Sequence, residues 1–94
     1  MPAYWIAHVT VTDPERYRRY IEAAPRVIAG FGGRFLARGG PSTTYEGRHF
    51  ERQVVIEFPD IEAARACYAS EAYKSARALR EGACEAHVSI AEGF

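Results

Sequence analysis

GFGGRFLARGG, residues 30–40, packs five of the chain's eight glycines into eleven positions. What flanks it decides both the fold and whether it handles phosphate. Upstream, Tyr17, Tyr20, Ile21, Ala24, Ile28 and Phe31 recur at helical steps and form an apolar stripe. Downstream, RFLAR (34–38) reads as a short strand. The glycines therefore follow a helix and precede a strand. A phosphate loop needs the reverse order, with backbone amides at a helix N-terminus. No G-K-[ST] follows, and G-x-G-x-x-G is not matched. The stretch is backbone work. One of Gly30, Gly32 or Gly33 supplies a left-handed helix cap. Gly39, Gly40 and Pro41 end the strand and open a loop through STTYEG.

The remaining elements fall into place around this core. AYWIAHVTV (3–11) is rich in aromatic and β-branched residues and reads as a strand. In TDP (12–14), Thr12 or Asp13 can cap the first helix, and Pro14 suits its first turn. Pro25 lies within that helix and predicts a kink or break near Ala24. ERQVVIEF (51–58) is a third strand, and Pro59 and Asp60 open a second helix through Arg80. Ser70 can cap a second segment of it, and Gly82 is its stop signal. CEAHVSI (84–90) is the last strand. The order is β-α-β-β-α-β over one domain, residues 1–94. This is an α+β, ferredoxin-like arrangement: an antiparallel sheet, strands one and three central, two helices on one face.

Alternation assigns the two faces. Trp5, Ala7, Val9 and Val11 face the helices. Tyr4, Ile6, His8 and Thr10 face away, with Gln53, Val55, Glu57 and His87. A symmetric hairpin pairs Arg34 with Glu57, Leu36 with Val55 and Arg38 with Gln53. An outer face carrying Ile6, Leu36 and Val55 calls for a cover, and the simplest is the same face of a second copy.

Composition bounds the function. Twelve basic and twelve acidic residues give zero formal net charge, so nothing attracts a polyanion at long range and nucleic-acid binding is disfavoured. No apolar run approaches the ~20 residues that span a bilayer, so no membrane partner is expected. MPAYWIAHVTV lacks the positive start of a signal peptide, which points to the cytoplasm. Cys67 and Cys84 then default to free thiols.

The stretch VTDPERYRRY, the run GGRFLARGG, the later YEG and the segment CYASEAY ahead of Arg80 resemble a bacterial family, domain of unknown function 1330. The resemblance covers nearly the whole chain. It implies the dimeric α/β-barrel superfamily, in which two ferredoxin-like subunits join sheet to sheet. That superfamily includes cofactor-independent monooxygenases, muconolactone isomerase and stress-responsive barrels. The resemblance thus implies a homodimer and a small-molecule cavity, but no particular reaction. Related sequences often carry a tryptophan before the tyrosine of the second helix, where this chain has Cys67.

His8, on a central strand, titrates in a range suited to proton transfer and is the candidate catalytic base, although an interior histidine is often merely hydrogen-bonded. Arg38 matches a recurrent arginine of the family. It either grips an acidic ligand or pins the loop through Glu46 of the matching YEG. Trp5, Tyr20 and Tyr68 would line a pocket between helices and sheet. His8, His49 and His87 lack metal-ligand spacing, so neither metal nor cofactor is expected. Two classes survive: a cofactor-independent enzyme, monooxygenase- or isomerase-like, on a small aromatic or acidic compound, and a non-catalytic ligand-binding or structural dimer.

Overall fold

The computed structural model describes all residues, Met1–Phe94. Four strands, β1 (Ala3–Val11), β2 (Arg34–Arg38), β3 (Arg52–Phe58) and β4 (Cys84–Glu92), form one antiparallel sheet in the order β2-β3-β1-β4. This is the ferredoxin-like fold. Ala3, Trp5, Ala7 and Val9 of β1 are buried beneath the helices, and Val54, Ile56 and Phe58 continue that layer on β3. No helix is long and apolar enough to cross a membrane.

Helix α1 (Pro14–Gly30) starts at Asp13, whose side chain accepts from the Arg16 amide at 3.2 Å. It runs unbroken through Pro25, against the expected break. A proline removes one helical hydrogen bond, at a cost of about 3 kcal/mol. Burial of Ala24 and Ile28 on either side outweighs it. The helix ends at the quoted glycines. Gly32 adopts φ 85°, its amide bonds to the Ala29 carbonyl, and the Gly33 amide reaches back to Ile28. These two bonds are those of a Schellman cap, which needs a left-handed residue at the Gly32 position.

The second helical stretch is two helices, α2 (Ile61–Ala69) and α3 (Glu71–Ala78), so the sheet carries three helices rather than two. Ser70 between them has extended backbone, and its hydroxyl accepts from the Tyr73 amide at 3.1 Å. Helix α2 lies close on the strands, whereas α1 leans on α3.

The hairpin register also differs from the symmetric one. Arg34 does face Glu57, and the two form an ion pair at 2.7 Å. The register then shifts between Phe35 and Ala37. Ala37 stands opposite Val55, and Arg38 opposite Val54. A bulge inserts one residue, so every later side chain changes face. Arg38 moves to the helix side, where its guanidinium lies over the Phe35 ring at 4.1 Å.

Beyond β2 the chain folds back across the outer face. Phe50 is buried against His87 and His8, with ring centroids 4.9 and 5.9 Å away. Arg48 covers Phe50 and forks onto both Glu85 oxygens. The Arg48 hydrogen bonds, and then its charge and that of His87, hold the Glu85 carboxyl below its ordinary value of 4.5. A carboxyl depressed by folding stabilises above its unfolded pKa and loses that contribution as pH falls through the folded one. Acidification below 4.5 should therefore lower amide-exchange protection around Arg48–Phe50 while β1 stays protected. Flat protection across that range would mean that the pair does not tether the loop.

Candidate functional site

Between α1 and the sheet lies a cavity of about 40 Å³. One water needs roughly 10–15 Å³ by the same measure, so the space takes a few waters or one compact organic group. Trp5, Val54 and Ile56 form its floor, and Ala24, Pro25 and Ile28 of α1 its roof. Inward alternation on β1 and β3 builds the floor, and the helical stripe builds the roof.

Two hydroxyls meet inside it. Tyr20 on α1 and Tyr73 on α3 are hydrogen-bonded at 2.7 Å. Burial, then the neighbouring Tyr73, pushes the Tyr20 hydroxyl far above the ordinary tyrosine range. Tyr20 therefore stays protonated and serves as a donor rather than a base. Burial likewise raises Tyr17, partly offset by the cations of Arg52 and Arg80.

Three arginines line the same cavity: Arg38 from β2, Arg52 from β3 and Arg80 from the turn after α3. Arg80 lies 4.9 Å from the Tyr20 ring centroid, and Arg52 lies 5.9 Å from that of Tyr17. None of the three pairs with a carboxylate; the five ion pairs of the molecule involve other residues.

The six residues singled out from sequence divide. Trp5, Tyr20 and Arg38 line the cavity. Tyr68 packs on Trp5 and Tyr73 at 5.4 Å each, but borders an adjoining open groove with Arg77 and Glu81, which shares Arg80 with the cavity. His8 and Glu46 belong to a third groove, on the outer face. There His8 bonds Gln53 through Nδ1 and stands directly across from His87. Arg38 and His8 are thus on opposite faces, which corrects the symmetric pairing that put Arg38 opposite Gln53 on the outer face with His8. The bulge is the cause. Nor does Arg38 pin the loop through Glu46, since Arg48 does so through Glu85.

Arg52 and Arg80 were not anticipated, yet both carry a signal. Arg52 is in phase with inward Val54, Ile56 and Phe58. Arg80 follows Tyr73 and Ala76 at helical spacing. Cys67 is fully buried, and burial pushes its thiol up to about 11, which makes it inert.

Residues 2–94 match the family described as Domain of unknown function (DUF1330). The chain belongs to the DUF1330 family. No curated protein sequence matches it. Among solved structures, this DUF1330 chain is similar to a Rhodopseudomonas palustris protein of unknown function. The TM-score is 0.79 at 18% identity, over 99% of this chain and 82% of the other. It is similar to a dimeric ferredoxin-like protein of unknown function from Thermobifida fusca, with TM-score 0.67 and 17% identity over 99% and 92%. It is also similar to SnoaB, a cofactor-independent oxygenase from Streptomyces nogalater, with TM-score 0.65 and 14% identity over 99% and 93%. At these identities the likeness establishes the shared fold of the DUF1330 chain and no more.

Proposed function

We propose that the chain is a homodimer that uses the cavity beneath α1 for small-molecule chemistry without a bound cofactor. The observation that carries this reading is the make-up of the cavity. Fourteen of its eighteen lining residues are hydrophobic, while hydroxyls and guanidiniums converge from separate elements. Apolar walls with a few converging polar groups are the usual form of a ligand site. In the Tyr20–Tyr73 pair one hydroxyl donates to the other, which leaves the second proton for a ligand oxygen. With Arg80 beside it, this pair can stabilise the enolate of an acidic carbonyl compound, whose proton passes to solvent because the cavity lining carries no carboxylate or histidine base. Isomerisation and cofactor-free oxygenation both pass through such a step. The fold likeness to a cofactor-independent oxygenase supports that class by analogy alone.

The dimer reading rests on the outer face. The loop through Phe50 covers the His8 end, which leaves Tyr4, Ile6, Val55 and half-exposed Leu36 to a partner. His8 and Glu46 enter the chemistry only for a ligand in the outer groove. The small cavity volume favours the second reading, a non-catalytic dimer.

The test uses 1,3-dicarbonyl compounds in deuterated buffer, followed by proton exchange and oxygen uptake. Expected are turnover above buffer, a drop of about tenfold in Tyr20→Phe from loss of one hydrogen bond, and loss of turnover in the cavity-filling Ala24→Leu. Sedimentation should give twice 10.5 kDa. Turnover indifferent to both substitutions overturns the catalytic reading, ligand binding without turnover supports the second, and a 10.5 kDa species overturns the dimer.

A further inference from the structure

The electrostatics of the cavity name a ligand class. Arg52 and Arg80 each bury an Nε donor that has no hydrogen-bond partner. Buried polar groups are almost always satisfied, and one left unsatisfied calls for an explanation such as a missing ligand. Two such donors on two cations lining one cavity, with no carboxylate within ion-pair distance, form an uncompensated positive site. In a chain of zero net charge, this concentration is local.

The backbone leaves room for one of these cations. Gly39, at φ 78°, has no Cβ, and a built one would sit 2.8 Å from the Arg52 Cζ. The guanidinium thus rests where any side chain would stand. The amide of Gly39 bonds the Gln53 carbonyl at 2.9 Å. That bond ties Arg38 and Arg52 together across the β2–β3 edge. From the other side, Arg80 lies over Tyr20 and bonds the Cys84 sulfur at 3.4 Å. The charges of Arg52 and Arg80 both lower the Tyr17 hydroxyl against the rise that burial causes.

We propose that Arg52 and Arg80, with Arg38 at the edge, grip the carboxylate of a compact monocarboxylic acid whose apolar part enters the cavity toward Trp5. This rests on the cavity being a small-molecule site. The planar fork of arginine matches a carboxylate bidentately. The same fork also fits phosphate, but the mostly hydrophobic lining favours an acid that carries an apolar part, and no helix N-terminus adds amides for a phosphate. A cavity of about 40 Å³ suits a short acid.

Trp5 is the chain's only tryptophan and lines the cavity, so its fluorescence reports on occupancy. The probes are crotonate, the neutral isostere crotonamide, and inorganic phosphate. Crotonate should bind about tenfold or more tightly than crotonamide, and phosphate should leave Trp5 unchanged. Arg52→Gln and Arg80→Gln should each weaken crotonate by about tenfold and leave crotonamide unaffected. Arg52→Lys keeps the charge, guards against misfolding, and should restore only part of the affinity. Circular dichroism of each variant verifies folding.

Equal binding of crotonate and crotonamide, both abolished by Ala24→Leu, overturns the carboxylate site and leaves the cavity reading intact. Phosphate competing as strongly as crotonate overturns the carboxylate assignment. If neither organic probe moves Trp5, this proposal fails. Dicarbonyl turnover lost in Ala24→Leu would keep the cavity reading alive even then.

Discussion

Trp5→Ala should destabilise the protein by about 3–5 kcal/mol, the range for emptying a large aromatic from a core. Trp5 is 2% exposed at the centre of the sheet. Its ring stacks on Phe58 at 6.0 Å and meets the edge of Tyr73 at 5.0 Å. Tyr68 closes a third side at 5.4 Å. Removing the indole strips a contact from each of those rings at once, and the site cannot collapse, because β1 is pinned by β3 and β4 on both sides. Aromatic pairs add about 0.5–1.5 kcal/mol beyond the area they bury. For a domain of this size the melting temperature should fall by at least about 12 °C. Trp5→Phe keeps one ring and should lose less than half as much. Chemical denaturation of the two variants measures both. A loss below about 1 kcal/mol in Trp5→Ala would mean that the helices, not the indole, hold the core shut.

Gly33→Ala should cost about 2–3 kcal/mol, at the upper end for overpacking a core. Its backbone is not left-handed, so conformation is not the obstacle. Space is. A built Cβ would lie 2.9 Å from Phe58 Cζ, 3.0 Å from the Ile28 carbonyl, and closer still to Ile28 Cγ2. Ile28 and Phe58 are among the most deeply buried side chains. Neither can yield without moving α1 or β3. Gly32→Ala acts by another route, through its positive φ, and should cost about 1 kcal/mol. Thermal melts that rank Gly32→Ala as the more damaging would reverse this assignment.

Much of the architecture was legible because its signals are local. Alternation in AYWIAHVTV and RQVVIEF separates two faces without reference to the rest of the chain. Asp13, Asp60 and Ser70 sit where capping chemistry puts them. Pro25 does not break α1, since a helix break is a local expectation that packing on both sides overrides. The site was harder. Nothing in RFLAR announces a bulge, and the face of Arg38 depends on one. Arg52 and Arg80 obey the same periodicities as the apolar residues around them, but arginine in phase with a core stripe reads as surface until the stripe is seen to roof a cavity. Whether Arg38 has a partner depends on Arg48 taking the loop to Glu85 instead, a contact between residues 37 apart in sequence.

The bulge near Leu36 has a consequence for how related chains are compared. Forming or losing the bulge in β2 transfers the Arg38 charge from one compartment to the other with no change in amino-acid content. A regular pairing that kept Leu36 opposite Val55 would return Arg38 to the outer face, opposite Gln53. Two relatives could then carry the same aligned arginine, one beneath the helices and the other against a neighbouring sheet. In this fold the bulge in a five-residue edge strand is itself a heritable trait, and a change that regularises the pairing there can redirect ligand preference in a single step, where a substitution elsewhere would have to create the charge anew.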